Sequence, residues 1–141
     1  MSTSGLPELV DETPAVQLER ARRLVPAARL LRADIAALHL APASLDAVVS
    51  FYALIHLPLV DQQALFPRLR DWLRPGGYLL AIVGAEPWTG TEPYLGAPMF
   101  WDVAGTADYL RWLAAARLTP LWHRFIPEGT SGHTLILARA S

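Results

Sequence analysis

The sequence contains no cysteine and no lysine. Without a thiol there is no disulfide, no thiolate nucleophile and no cysteine-bound zinc. Without a primary side-chain amine there is no Schiff-base chemistry and no phosphate-loop lysine. All 12 basic residues are therefore arginines, set against 13 carboxylates for a net charge of −1, and they form no basic run. Such a chain lacks the electrostatic footprint of a nucleic-acid or anionic-membrane binder. No apolar run reaches membrane-spanning length, and Met1-Ser-Thr-Ser-Gly-Leu6 carries no positive n-region, so a soluble, cytoplasmic protein is expected. His39, His56, His123 and His133 are scattered without metal-ligand spacing, and no metal site is expected. Only Gly5 precedes Asp11, so the N-terminal part holds no glycine-rich phosphate loop. Carboxylates, histidines, tyrosines and binding geometry remain for chemistry.

What is present reads as one globular domain spanning residues 1–141, with 52% hydrophobic and 18% charged residues. Leu6-Pro-Glu-Leu-Val10 is a candidate short strand. Thr13-Pro14 is a helix-start pair, and Leu18, Ala21, Leu24 and Val25 repeat at helical spacing until Pro26. Residues 28–32 read as a second strand ending at Ala33-Asp34. Leu45-Asp-Ala-Val-Val-Ser-Phe-Tyr52 reads as a buried strand, followed by a helix over about 61–73 that Pro67 should kink or delay. Gly76-Gly77 closes that helix, and Tyr78-Leu-Leu-Ala-Ile-Val83 is a further buried strand. Alternating strands and helices predict a mostly parallel sheet covered by helices.

Residues 84–103 mix turn formers with Trp88, Tyr94, Phe100 and Trp101. Their aromatic content predicts an ordered lid rather than a linker. A helix around Tyr109–Ala114 follows. Two strands, Leu118–Ile126 and His133–Ala140, are then joined as an antiparallel hairpin.

Ala33-Asp34, Leu45-Asp-Ala-Val-Val-Ser50, Leu54-Ile-His-Leu-Pro58 and Trp72-Leu-Arg-Pro-Gly-Gly-Tyr-Leu79 together resemble class I S-adenosylmethionine-dependent methyltransferases of the small-molecule type. The terminal antiparallel hairpin fits that family too. The resemblance implies a Rossmann-like fold that is incomplete here. It would lack the first, central strand, the helix after it, and the D/E-x-G-x-G-x-G loop between them. It also implies S-adenosylmethionine as cofactor, with the missing glycine loop as the departure from the family pattern. Asp11, with Glu12 beside it, takes the place of the ribose-binding acid. Asp34 takes that of the acid facing the adenine amino group, Ile35 flanks the ring, and Ser50 and Phe51 border the methionine end.

On the substrate side, Trp88, Tyr94, Phe100 and Trp101 either wall a pocket for a small organic molecule or pack on the core. Glu86 and His56 are the candidate catalytic groups, and His56 has the alternative of a packed loop histidine. His133, near Glu128, reads as part of a surface hairpin, and Asp46 as structural. A missing central strand would leave neighbouring strands without partners, which predicts a homodimer or a completing partner chain. Other readings stay open. One is a cofactor-independent cyclase or isomerase that keeps the aromatic pocket, another a non-catalytic partner protein, and a third a coding sequence that begins upstream of Met1.

Overall fold

The computed structural model describes residues 14–141. Asp11, Glu12 and the strand expected over 6–10 lie outside the described residues. The chain divides into two compact units, one holding residues up to Leu38 together with Glu92–Met99, the other His39–Thr91 and Phe100–Ser141.

In the first unit, helix α1 runs Pro14–Leu24 and stops ahead of Pro26, as the proline spacing predicts. Arg22 and Arg23 occupy its last turn, where cations offset the partial negative charge of the helix end. The strand expected over 28–32 does not form: no strand among the described residues takes this segment as a partner. An extended segment becomes a strand only by pairing. Asp34 shapes a turn instead, its Oδ1 accepting the Ala36 N–H at 2.9 Å and its carbonyl the Ala37 N–H at 3.0 Å.

The second unit is built on a four-stranded sheet. Strand β1 spans Leu45–Ser50, and a 3-10 turn at Leu54–His56 leads into α2, Leu59–Trp72. Strand β2 follows at Leu73–Gly84. After the two-stranded ribbon of β3 (Trp88–Tyr94) and β4 (Ala97–Val103) come α3 (Thr106–Ala115), β5 (Leu118–Glu128) and β6 (Ser131–Ala140). The sheet order is β1-β2-β6-β5, with β1 and β2 parallel and the other two pairings antiparallel. Among the described residues this sheet is therefore mixed rather than mostly parallel, because the hairpin supplies two of its four strands.

Four details differ from the sequence expectations. Helix α2 begins earlier than expected and carries Pro67 inside it. Burial of Leu65, Phe66, Leu69 and Trp72 offsets the cost of a mid-helix proline, about 3 kcal/mol. Gly76 and Gly77 lie within β2 instead of closing the helix. A Cβ on Gly77 would stand 2.8 Å from the Asp46 carbonyl, so glycine there lets β2 approach β1. The 84–103 segment is mostly a β-ribbon, turning at Leu95 and Gly96 with φ of 50° and 84°, the paired left-handed values of a tight hairpin. Finally, β1 is not buried: Val49 is 59% exposed.

Alternation along the strands separates two faces. Leu79, Ala81, Val83, Ile136, Ala138 and Ala140 are buried together with the inward residues of α2 and with Tyr109 and Leu113 of α3. On the other face the register aligns Val49, Leu80, Leu137 and Trp122 in one apolar row across all four strands.

A buried polar network ties the helices to the ribbon. Fully buried Gln62 donates from Nε2 to the carbonyls of Leu57 (2.7 Å) and Asp102 (2.6 Å), and its Oε1 accepts the Tyr109 hydroxyl at 2.7 Å. Pro58 gives α2 no side-chain cap. Asp102 supplies one from the end of β4, its Oδ2 accepting the Leu59 N–H at 2.8 Å while Oδ1 accepts the Thr89 hydroxyl at 2.7 Å.

Burial pushes the Tyr109 phenol up from 10.0 to about 12, against the backbone N–H contacts of Ala104 and Gly84, with the charges of Asp102 and Asp108 adding to the rise. A raised phenol favours the neutral form in the folded state. Its contribution is complete below pH 10 and lost as pH climbs towards about 12. Urea unfolding should therefore show stability falling by on the order of 2 kcal/mol across that window, a fall that Tyr109→Phe removes.

Arg117, just past the C-terminal end of α3, adopts φ 64°, a left-handed position that glycine fills without steric cost. Arg117→Gly should raise stability by about 0.5–1 kcal/mol, read as an upward shift of the urea midpoint with an unchanged slope.

Candidate functional site

In sheets of this kind ligands gather beyond the carboxyl ends of the parallel strands. There β1 ends at Ser50 and β2 at Gly84, and antiparallel β6 begins, with His133 paired to Gly84. The chain leaves β1 through exposed Phe51 and then Tyr52, whose φ is 56°. A bulky residue in the left-handed region is a true outlier, costs about 1–3 kcal/mol, and persists where surrounding contacts hold it.

The holding contact is visible. The Tyr52 hydroxyl donates to Glu128 Oε1 at 2.5 Å, joining residues 76 apart in sequence. The second oxygen of the same carboxylate, Oε2, lies 3.0 Å from His133 Nδ1. The Tyr52 and His133 rings meet edge to face, with centroids 5.3 Å apart. The Glu128 carboxylate, by accepting the hydroxyl and by its charge, holds the Tyr52 phenol above its ordinary value.

Trp101 joins this group to a second imidazole. Its ring centroid is 4.4 Å from that of His56 and 6.4 Å from that of His133. His56 Nδ1 lies 2.8 Å from the Phe100 carbonyl. A carbonyl only accepts, and an ionised carboxylate only accepts, so both imidazoles carry their proton on Nδ1. The result is a half-open cluster of Tyr52, His56, Trp101, Glu128 and His133, with one carboxylate at its centre. Among the described residues no group of three or more His, Asp or Glu side chains could hold a metal ion, and no helix is long and apolar enough to cross a membrane.

The residues expected from sequence are distributed unevenly around this cluster. His56 and Trp101 belong to it, and Phe100 contributes its carbonyl. Ser50 and Phe51 lie next to it in the chain, at the end of β1. Glu86 is exposed in the short connection after β2. Trp88 lines a different groove of about 440 Å³ with Leu59, Pro87, Val103, Asp108 and Trp112. This groove shares no residue with the cluster. Tyr94 is 51% exposed near the ribbon turn and belongs to the other unit, as do Asp34 and Ile35. Asp46 is structural, ion-paired with Arg74 at the start of the sheet.

Sequence reasoning passed over Tyr52 and underrated Glu128. Part of the signal was available. Across a two-residue turn, Glu128 and His133 fall on the same face of the hairpin as diagonal neighbours, since Ile126 pairs with His133. The Tyr52 contact had no local signal.

The mixed α/β sheet, its helices and the closing antiparallel hairpin define an α/β fold. Residues 9–77 match the family model described as a methyltransferase domain, and the chain resembles the class I S-adenosylmethionine-dependent methyltransferases. No curated protein matches the sequence. Among solved structures, a putative S-adenosylmethionine-dependent methyltransferase from Listeria monocytogenes is similar with a TM-score of 0.75 and 13% identity, covering 94% of this chain and 78% of that one. The 1,6-didemethyltoxoflavin-N1-methyltransferase of Burkholderia thailandensis, solved with 1,6-didemethyltoxoflavin and S-adenosylhomocysteine, gives 0.70 at 18% identity, covering 92% and 58%. The N-methyltransferase NodS from Bradyrhizobium japonicum, solved with S-adenosylhomocysteine, gives 0.67 at 18% identity, covering 93% and 64%. At such identities the likeness is one of fold. The chain spans less than two thirds of the length of these last two structures.

Proposed function

We propose that the domain transfers a methyl group from S-adenosylmethionine to a small organic molecule. The observation that carries this reading is the ordered Tyr52–Glu128–His133 cluster beyond the carboxyl ends of β1 and β2, in a methyltransferase-type fold. Relatives of the fold were solved with S-adenosylhomocysteine, the demethylated form of that cofactor. Taken each within its own unit, the residues present fit such a group in their chemistry. Asp34 keeps one carboxylate oxygen beyond the one its own turn uses, and Ile35 is an apolar flank 37% exposed. Ser50 and Phe51 offer a hydroxyl and an aromatic edge at the end of β1. A glycine cradle is not among these residues.

When bound, the cofactor supplies an electrophilic methyl group. The task of this chain is then alignment: holding the acceptor against Trp101 and keeping its reacting atom oriented. Isothermal titration with S-adenosylhomocysteine tests the reading. Saturable heat is expected, with Asp34→Ala weakening binding by about tenfold. No saturable heat at millimolar ligand, with either S-adenosylmethionine or S-adenosylhomocysteine, would rule it out.

The apolar row Val49, Leu80, Leu137 and Trp122 favours association as a second property. A sheet face of this kind is ordinarily covered, and among the described residues β1 is an edge strand. We expect a homodimer or a completing partner chain. A stable monomer by light scattering at micromolar concentration counts against it.

A further inference from the structure

The groove that Trp88 lines has a chemistry of its own, apart from the strand-end cluster. It holds about 440 Å³ between the start of α2, the ribbon and α3, within one compact unit. That volume lies in the range of sites for small organic molecules. Leu59, Pro87 and Val103 make much of the lining apolar, and Trp88 and Trp112 add two indoles. Asp108 is the one charged side chain among the described residues that line it.

The walls are held before any ligand arrives. Asp102 on β4 accepts the Leu59 N–H from α2 at 2.8 Å and the Thr89 hydroxyl from β3 at 2.7 Å. The Thr106 N–H bonds the Ala85 carbonyl at 3.2 Å, tying the start of α3 to the chain that enters β3. Trp112 meets the buried Tyr109 ring edge to face, with centroids 5.3 Å apart. The Trp88 ring lies over Gly90, where a Cβ would stand 3.0 Å from Cζ2 and Cη2. A preformed site loses little binding energy to the ordering of its side chains.

The electrostatics favour a cation. Both oxygens of Asp102 accept from neutral donors, so this carboxylate keeps its charge directly behind two lining residues. Burial raises the Tyr109 phenol most, and the charges of both Asp102 and Asp108 add to the rise. Each helix start brings roughly half a positive charge to the region. Asp61 and Asp102 at the start of α2, with Asp108 in the first turn of α3, outweigh it. Arg111 engages Asp108 Oδ1 at 2.6 Å but does not line the groove.

We propose that this groove binds a small organic cation of the quaternary ammonium type, its methyl groups against the indoles and its charge towards Asp108. Indole attracts a cation more strongly than any other aromatic side chain, and more so where water is excluded. An ammonium with N–H groups is strongly hydrated and needs an acceptor for each of them. A quaternary one needs none and suits an apolar wall. An uncharged ligand of the same shape gains the apolar contact alone, and an anion faces the carboxylates. Occupancy of the groove is independent of methyl transfer.

Choline is the probe, with 3,3-dimethyl-1-butanol as its uncharged counterpart of the same shape. Proton–nitrogen NMR of the full chain resolves the indole N–H signals of the five tryptophans, and Trp88→Phe and Trp112→Phe assign two of them. At constant ionic strength choline should shift those two signals saturably in the millimolar range, with the alcohol binding about tenfold weaker. Asp108→Asn should weaken choline about fivefold and leave the alcohol unchanged. Asp108 is half-exposed and the change is isosteric, so this variant carries the test even if a tryptophan variant fails to fold. No saturable shift at about 100 mM choline overturns the proposal. So does equal binding of the alcohol, a shift confined to the other indoles, or an unchanged choline affinity in Asp108→Asn.

Discussion

Gln62→Leu should lower the unfolding free energy by about 3 kcal/mol, because leucine fills the space while stranding three buried polar groups. The carbonyls of Leu57 and Asp102 lose their donor, and the Tyr109 hydroxyl loses its acceptor. Each unpaired buried group costs roughly 1–3 kcal/mol, and partial rearrangement within the network trims the sum. At this chain length the loss corresponds to a fall in Tm of about 10 °C, measurable by calorimetry. Tyr109→Phe should cost less, about 1 kcal/mol, since Gln62 keeps its two carbonyl partners. The order of the two variants is the informative part. A Gln62→Leu protein as stable as the natural one would mean that the network adds no net stability.

Gly84→Ala is expected to be almost as damaging, by about 3 kcal/mol, for a reason of space alone. An added Cβ would stand 2.4 Å from the Val103 Cβ and 2.7 Å from the Ala104 carbonyl oxygen. Neither neighbour is the tip of a flexible side chain, so the β4–α3 junction must move away from the end of β2. Gly129→Ala is the natural control. Its φ is 60°, but nothing lies within 4 Å of the added Cβ, so only the backbone cost of about 1 kcal/mol applies. Urea midpoints of the two variants should therefore differ by a clear margin. Equal losses would show that steric crowding at Gly84 is relieved cheaply.

The elements most legible in the sequence were those set by local periodicity. Helix α1 is bracketed by Pro14 and Pro26, and the terminal hairpin is announced by turn formers between two apolar runs. Leu73-Arg-Pro-Gly-Gly77 was misread because glycines after a helical pattern ordinarily mark a cap. Here Leu73 leaves the helix directly, and Gly77 serves the contact with β1. Residues 28–32 have strand composition, but composition cannot supply a partner strand. In the cluster, His56 and Trp101 stand out in the sequence by their positions in the chain, and the structure puts their rings in contact. The link from Tyr52 to Glu128 does not stand out, because no periodicity spans 76 residues. The buried Gln62 was hidden for a different reason: glutamine on a helix reads as a solvent-facing residue until its partners are seen.

The position of β6 in the sheet has a bearing on how the molecule assembles during synthesis. Its residues 131–140 come after every other strand in chain order, yet they lie between β2 and β5. Until that segment emerges from the ribosome, β2 has only β1 to pair with, and Ile136, Ala138 and Ala140 are missing from the core. Such a nascent chain exposes an apolar strand edge, the condition under which chaperone capture competes with folding. The slow event is then the docking of one late strand into a waiting slot, and the Tyr52–Glu128–His133 cluster is completed in the same moment.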